Sequence, residues 1–499
     1  MYDSLERCFL NIASYSNNYF KINFDTNMED FIREITGETN KELEKEIYNI
    51  YLEKNRCIED CLNKILTNIN LRAFVEKKSK KLKISFEDYI NEVINNREQY
   101  IRNSAIFLHE YLHFFHNLST ISGFYEFYLR LYIFLIFRET VDIQRFCQSS
   151  KILPHNKQFW LQTYYNIDKT LNGSTLIKDF AIDKISNLKY KFVSHVFKLE
   201  NEESTVSNIH VSFNYQNESI EYNIGLTAIL ETIAYEMMLE INPQIEFSGV
   251  IPFIPYGILK MILEKKMGSI SREFLVKILI LSLQFNNPIE ILKYVINDYI
   301  NYPKVVSSDF LILSIKNKTN IDEYKEAICN DIRKTLDLFT ESPVKKELKR
   351  IFDFMQKAIN YRNKNDFIEW SLVKNHKLDI TLMNQFLKNF NLSSFVCGNK
   401  LIGLEGYGYK YDINLFNAMF DFVHRHLTIN GEFIAHKDLH PKACLFYDFC
   451  RTSPSPLPCF NETLCAFTPY NIYKELSDKN KGCWYSAAIC ACIGKYDKI

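Results

Sequence analysis

Residues 105–115, AIFLHEYLHFF, place two histidines and one glutamate among apolar side chains. The apolar positions recur at the three- and four-residue spacing of an α-helix. On a helix, residues four apart lie one turn apart on the same face, so His109 and His113 can direct their imidazoles to one point. A core-facing helix has little reason to bury two histidines and a carboxylate without a use for them. The segment therefore predicts a helix that carries a metal site.

The glutamate between the histidines adds a chemical role to this site. Glu110 follows His109 by one residue, a rotation of about 100° around a helix axis, which places its carboxylate beside the ion. Zinc lowers the pKa of a bound water from about 15.7 toward about 7, and a neighbouring carboxylate can take the proton. The motif predicts a hydrolytic zinc centre with Glu110 as general base. The alternative is a core helix whose histidines make ordinary hydrogen bonds.

A catalytic zinc ion takes three protein ligands and keeps its fourth position open. The metzincin pattern requires glycine three residues after the second histidine and another histidine three residues further on. Here these positions hold His116 and Ser119, which excludes that class. His116 is interpreted as a core histidine, or as one that supports a ligand, rather than as a ligand itself.

The third ligand is predicted in the helical stretch 227–236, TAILETIAYE. Glu231 is a lone acid among its apolar residues, and the small Ala234 one turn later would let this helix approach the histidine helix closely. We predict Glu231 as the third ligand, the alternative being a capping or solvated carboxylate. Glu236 and Glu240 are expected on the polar face of the same helix.

Residues 105–118 and 225–240 together resemble the gluzincin metallopeptidases, which pair an HExxH helix with a glutamate on a second helix. The resemblance implies one zinc ion, the same three ligands and the same general base. It also implies that the hairpin before Gly225 is similar to the edge strand that aligns peptide substrates in such enzymes. The gap between the second histidine and Glu231 is longer than in the best-known members.

A hydrolytic site also needs a group that stabilises the negative charge of the transition state, commonly a tyrosine or a histidine. Tyr235 lies one turn after Glu231 on the same helix face and is the predicted catalytic side chain for this role. A packing role, or support of a ligand, is the alternative. Tyr222, His195 and His210 are further candidates by their closeness in the sequence.

The periodicity of the chain predicts a mainly α fold with a small β element, of the α+β class, in which a zincin-like catalytic core is embedded in a helical protein. Two alternating runs joined by a short polar turn predict a β-hairpin over 209–215 and 219–224. Helical patterns cover 28–66, 86–118, 124–138, 225–241, 271–284 and 322–362.

Four regions are predicted along the chain. They are an N-terminal helical region at 1–98, the zincin-like catalytic region at 99–250, a second helical region at 251–430 and a Cys-rich module at 431–499. Cys444, Cys450, Cys459 and Cys465 in the last region form a candidate structural zinc site, although no C-x-x-C pair is present. The alternative is reduced cysteines that pack as small apolar residues.

Charge and hydropathy narrow the classes of partner. Lys+Arg and Asp+Glu both number 60, and this balance lacks the basic excess of a nucleic-acid-binding protein. The most apolar runs, 129–137 and 274–283, are too short to span a membrane. No secretory pattern opens the sequence, so a cytoplasmic location is expected, and the 13 cysteines are then free or bind metal. Near-zero net charge is compatible with self-association or a regulatory protein partner.

These sequence features suggest three functions. The first is a zinc metallopeptidase whose substrate is a protein or a peptide. The second is a non-catalytic zinc-containing helical module for protein interaction, or a regulatory component of a larger intracellular system. The third is a di-iron carboxylate protein, since Glu110-x-x-His113 is half of that signature. The chain has no second Glu-x-x-His, which leaves the first two.

Overall fold

The structure is a computed structural model that describes residues 13–16, 21–24, 29–35, 41–140, 155–243, 253–301, 313, 320–390, 394–397, 400–402 and 413–468. Inside these ranges the residues left undescribed are 55, 175–179, 181–183, 200–202, 217, 340–342, 429–430, 435–437, 442, 445–446, 448–450 and 452–461.

Helices dominate the described part of the chain, as the sequence predicted. The helices of the first half are α1 Glu29–Ile35, α2 Glu42–Glu53, α3 Ile58–Thr67, α4 Ile69–Leu82, α5 Phe86–Ser119, α6 Ile121–Thr140, α7 His155–Asn172 and α8 Leu226–Ile241. Those of the second half are α9 Phe253–Tyr256, α10 Ile258–Met267, α11 Arg272–Ser282, α12 Pro288–Asn301, α13 Ile321–Asp337, α14 Pro343–Lys364, α15 Ile368–Ser371, α16 Ile380–Asn389, α17 Ile413–Arg425 and α18 Glu462–Phe467.

The strands form three small sheets. They are β1 Ala13–Ser16, β2 Lys21–Phe24, β3 Ile185–Lys198, β4 Glu203–Tyr215, β5 Glu218–Ile224, β6 Val373–Lys374, β7 Lys377–Leu378, β8 Ser394–Cys397 and β9 Lys400–Ile402. The sheet orders are β1-β2-β8-β9, β3-β4-β5 and β6-β7. The predicted hairpin is confirmed as the antiparallel pair of β4 and β5. The long strand β3, which pairs with β4, was not predicted from the sequence.

Two of the predicted helical stretches are divided in the structure. The pattern over 28–66 corresponds to α1, α2 and most of α3, and the pattern over 322–362 corresponds to α13 and α14. Pro343 is the first residue of α14, a position that proline favours because a helix leaves its first N–H groups without intrahelical acceptors. Apolar periodicity continues across such breaks, so it does not reveal them.

The buried apolar residues form two clusters. The smaller one joins α2, α3, α4 and the first two turns of α5. The larger one contains the remainder of α5 together with α6, α8, α11 and α14, among others. α5 therefore belongs to both clusters, and the predicted region boundary at residue 98 falls within this helix.

The chain turns sharply where α5 passes into α6, and the two helices are bent by 72° relative to each other. A Cβ atom at Gly123 would lie 2.3 Å from the carbonyl oxygen of Asn117, so only glycine fits there without a shift of the backbone. This turn lets the apolar α6 pack beside the helix that carries the histidine pair.

Among the described helices, none alone has the length and hydropathy of a membrane span, whereas the bent pair of α5 and α6 passes that test jointly.

Candidate metal centre

Two buried helices, α5 and α8, pack against each other and carry the predicted ligands. His109 and His113 lie one turn apart on α5, and Glu231 lies on α8. Glu231 Oε2 is 3.2 Å from Nε2 of His109 and 3.2 Å from Nε2 of His113. The two Nε2 atoms are themselves 3.2 Å apart. These three side chains form a group of possible metal ligands within the described part of the chain.

The spacing of the three donor atoms fits a tetrahedral ion. Zinc binds histidine nitrogen and carboxylate oxygen at about 2.0–2.2 Å, and tetrahedral angles then separate neighbouring donors by about 3.3–3.5 Å. The observed separations of 3.2 Å are close to that value. Two imidazoles and one carboxylate are also the donor set of several catalytic zinc sites. The residues therefore fit a zinc ion in both chemistry and spacing.

The ligand group is almost shielded from solvent. His109, His113 and Glu231 are 2%, 5% and 8% exposed. Ala234, which the sequence analysis singled out as a small residue at the helix contact, is fully buried in the same core. Three polar side chains are thus held together in an apolar surrounding, where an uncompensated carboxylate would be costly.

The electrostatics of the group follow from this burial. Burial alone would raise the pKa of Glu231, but the two histidines outweigh it and hold the pKa well below its usual range. Burial lowers the pKa of His109, and its hydrogen bond with Glu231 offsets this only in part. For His113 the opposing charge of Glu231 outweighs burial, so its pKa is raised. The two histidines therefore favour the ionised form of the Glu231 carboxyl group.

Glu110 is buried beside the group without belonging to it. Its side chain is 3% exposed, and its negative charge contributes to the raised pKa of His113. The next residue on the helix, Tyr111, turns away from the group and donates a hydrogen bond to the backbone oxygen of Phe390 at 3.1 Å. The Glu110 carboxylate is thus near enough to the group to act on it electrostatically.

Aromatic rings line one side of the histidine pair. The ring centroid of Tyr256 is 5.8 Å from that of His109 and 5.5 Å from that of Tyr235. Tyr256 is thus a ring beside His109 that was not singled out from the sequence, and the catalytic role of Tyr235 stays a prediction. Tyr256 stands on the short helix α9 and has no distinguishing sequence context, which explains why it was missed.

His116 sits behind the histidine pair in a buried polar network. Its Nε2 is 2.9 Å from Oε1 of Glu369, and both residues are fully buried. Glu369 also pairs with Arg362, whose Nε and Nη2 donate to Ser119 Oγ at 3.0 and 2.9 Å. His116 is thus a buried histidine with its own carboxylate partner, in agreement with the interpretation from the sequence. Glu369 and Arg362 were not found from the sequence.

One expectation for α8 was wrong. Glu236 does not lie on a polar face, since it is 1% exposed. It pairs with Lys260 at 3.0 Å and with Arg272 at 2.9 Å. Glu240 is also bonded to Arg272, at 3.0 Å. The cations come from α10 and α11, and periodicity within α8 cannot reveal partners on other helices.

Two of the four predicted tail cysteines are described. The backbone N–H of Cys444 donates to the carbonyl oxygen of Cys465 at 2.7 Å, and the Cys465 side chain is buried. Cys450 and Cys459 lie outside the described residues. The second zinc site therefore stays a prediction.

Comparison with known proteins does not indicate a function for this chain. No protein-family model, curated protein or solved structure matches this chain. The geometry of the site is therefore the basis for any statement about function.

The three-donor geometry predicts how substitutions affect metal content. His109→Ala and Glu231→Gln should each reduce bound zinc from about one per chain to a small fraction, because three protein donors are needed for tight binding. The measurement is metal analysis of the purified chain after dialysis. Glu240→Gln, on the same helix and outside the donor group, is the matched control and should keep its zinc.

The zinc content of the same proteins can also be measured as a function of pH. The raised pKa of His113 means that zinc must displace a proton there, so zinc affinity should fall as the pH is lowered. Full zinc retention by both ligand variants would contradict the assignment.

Proposed function

We propose that the protein is a zinc-dependent metallopeptidase that hydrolyses a peptide bond in a protein or peptide substrate. The observation that carries this proposal is the equilateral arrangement of His109, His113 and Glu231 at 3.2 Å, with the carboxylate of Glu110 buried beside it. A zincin-like core, including the gluzincin resemblance of its two helices, is part of the same proposal.

Metal binding and proton transfer would be carried out by different residues of this chain. His109, His113 and Glu231 would hold the ion, and α5 and α8 keep the three donors fixed through their packing in the core. A zinc ion there would supply Lewis acidity that activates water and polarises the scissile carbonyl. Glu110 would accept a proton from the attacking water and pass it to the leaving amine. Tyr235, one turn after Glu231, and Tyr256, next to His109, are the candidates for contact with the reacting carbonyl.

The β3–β4–β5 sheet is a reason to propose a peptide as the substrate. β5 runs directly into Gly225 and α8, so the strand and the helix that carries Glu231 are continuous in the chain. β3 lies at one edge of this sheet. Strand edges bind extended peptides through main-chain hydrogen bonds. Cytoplasmic location and association with a regulatory protein belong to this proposal as expectations.

The burial of the site favours a second candidate, a non-catalytic zinc-containing interaction module. Structural zinc sites are closed, while a catalytic site keeps a position open for water and substrate, and the donors here are at most 8% exposed. The presence of Glu110 favours a catalytic ion, because a structural ion needs no neighbouring base. Under the peptidase proposal, the side chains that cover the donors have to move before a peptide can reach the ion.

The proposal is tested with the zinc-loaded chain and a mixture of unstructured peptides. Mass spectrometry should reveal new amino termini at defined bonds, and a zinc chelator should abolish them. Short peptides are chosen because they can enter a narrow site that a folded protein cannot. A zinc-loaded, folded chain that cleaves none of them would favour the interaction module.

A further inference from the structure

The strand β3 forms one edge of the sheet β3-β4-β5, and most of its outer backbone is open. It is 14 residues long and pairs on one side with β4. On its other side, within the described part of the chain, a single contact to the backbone is present, in which Lys265 Nζ donates to the carbonyl oxygen of Leu188 at 2.8 Å. A long edge of this kind can pair with a further strand.

The opposite edge of the same ribbon is covered by the protein itself. β5 pairs with β4 only as far as Ile209, which lies opposite Ile224. Beyond that point the side-chain amide of Asn287 takes the place of a strand. The backbone N–H of Ser207 donates to its Oδ1 at 3.1 Å, and its Nδ2 donates to the carbonyl oxygen of Thr205 at 3.3 Å. The open edge is therefore a property of β3.

The middle of β3 carries two exposed lysines on one face. Lys189 and Lys191 are two residues apart, so their side chains point to the same side of the sheet. Their direct neighbours on β4 are Ser212 and His210, and neither lysine has an ion pair among the described residues. Glu221 lies two strands away from Lys189 in the register, about 10 Å at the usual strand spacing. This part of the edge therefore favours an acidic neighbour.

The other face of the same segment is aromatic. Tyr190 and Phe192 alternate with the lysines, are half-buried and pack against the larger core. Their neighbours on β4 are Val211 and Ile209. A strand added at this edge would extend both faces, so its side chains would lie in turn beside a lysine and beside a ring.

We propose that the open edge of β3 docks an extended segment of a partner protein in which acidic and apolar residues alternate. The main chain of the segment pairs with β3, its carboxylates lie beside Lys189 and Lys191, and its apolar side chains lie beside Tyr190 and Phe192. A second copy of β3 is a poorer partner, because it would bring the lysines of two chains together. Docking is independent of hydrolysis, whereas a role of the docked protein as the substrate rests on the proposed function.

The experiment measures the fluorescence anisotropy of a labelled peptide, Thr-Val-Glu-Val-Glu-Val-Thr with blocked ends, during titration with the full-length chain. The chain carries Glu110→Gln so that the probe is not cleaved. We expect saturable binding, and binding at least about tenfold weaker for the same peptide with lysine in place of glutamate.

Two further peptides distinguish strand pairing from attraction between charges. Each keeps the sequence of the acidic probe and carries N-methyl groups on alternate residues, one on the even and the other on the odd positions. Successive N–H groups of a strand point to opposite edges, so only one of the two sets faces β3. We expect one methylated peptide to lose binding and the other to keep it.

Variants of the chain locate the binding. Lys189→Glu combined with Lys191→Glu should weaken binding of the acidic peptide at least about tenfold and should strengthen binding of the lysine peptide. Lys77→Glu combined with Lys81→Glu is the matched control, because it makes the same change in net charge at exposed positions of α4. It should leave the binding of both peptides unchanged.

Four results would overturn the proposal. Absence of saturable binding would show that the lysines only keep the edge unpaired. Equal binding of both methylated peptides would show attraction between charges without strand pairing, and insensitivity to the β3 variant would place the probe elsewhere. A dimer of the chain that the acidic peptide dissociates would assign the edge to a second copy. Binding by a chain that hydrolyses no peptide would contradict the peptidase proposal and support docking alone.

Discussion

Glu110→Gln is expected to lower peptide hydrolysis by about 10²–10⁴-fold, the usual contribution of a general base. The amide has nearly the same shape as the carboxylate but cannot take a proton from water. Since Glu110 is not one of the three donors, the zinc content should stay near that of the unchanged chain. The measurement is the initial rate on a cleaved peptide, together with metal analysis of the same sample.

The control for this variant is Glu98→Gln, an exposed glutamate on the same helix. It removes one negative charge from α5 without touching the site, so rate and zinc content should both stay the same. A Glu110→Gln protein that keeps its zinc and its full hydrolytic rate would exclude Glu110 as the base. If that variant instead retains a biological effect in the absence of measurable hydrolysis, the interaction module becomes the better description.

Glu369→Ala is expected to reduce the free energy of unfolding by about 3–5 kcal/mol, because it leaves a buried arginine without its counter-charge. Glu369 is fully buried and is bonded to both His116 and Arg362. The measurement is denaturant-induced unfolding of the chain. Glu273→Ala is the control, because the Glu273 side chain is 48% exposed and its ion pair with Lys277 should contribute less than about 1 kcal/mol.

The same network predicts a pH dependence of stability. Burial would raise the pKa of Glu369, but Arg362 and His116 outweigh it and hold the pKa well below its ordinary value of 4.5. A carboxyl group with a lowered pKa in the folded state stabilises the fold above its unfolded pKa, and this contribution is lost as the pH falls below it. Glu369→Gln should therefore be less stable than the unchanged chain at neutral pH and should lose less stability on acidification below about pH 4.5.

A double substitution distinguishes the loss of a charge partner from the loss of packing. Arg362→Met with Glu369→Leu replaces the pair with apolar side chains, which is often nearly neutral in buried sites. We expect the double variant to be more stable than Glu369→Ala. Equal or larger destabilisation would show that the hydrogen bonds to His116 and Ser119 matter more than the ion pair.

Local sequence was sufficient to predict how the two histidines of the pair are placed relative to each other. The four-residue spacing of His109 and His113 within an apolar stretch fixes their relation on any helix, since it depends only on the geometry of one turn. Apolar periodicity likewise predicted the mainly helical fold, and strand alternation predicted the β4–β5 hairpin. Glu231 was singled out because a lone acid among apolar residues requires a partner, and the structure places it beside both histidines.

Contacts between segments that are far apart in the sequence could not be predicted from local sequence patterns. The partner of His116 is Glu369, 253 residues away, and nothing around either residue in the sequence specifies the other. Glu236 was misassigned to a polar face because its cations stand on α10 and α11. The contact between Tyr256 on α9 and His109 on α5 likewise joins separate helices. These partners follow from how the helices pack, and packing depends on the whole set of buried surfaces.

The sequence by itself determined the helical character of the chain, the two imidazoles one turn apart and the acid between them, because these depend on neighbours along a single helix. Only the tertiary structure decided whether Glu231 meets the histidine pair, which ring lies beside His109 and which ion pair is bonded to the end of α5. Those side chains meet because α5 packs against α8, α14 and α15, and side-chain proximity across separate elements is a property of the packed core.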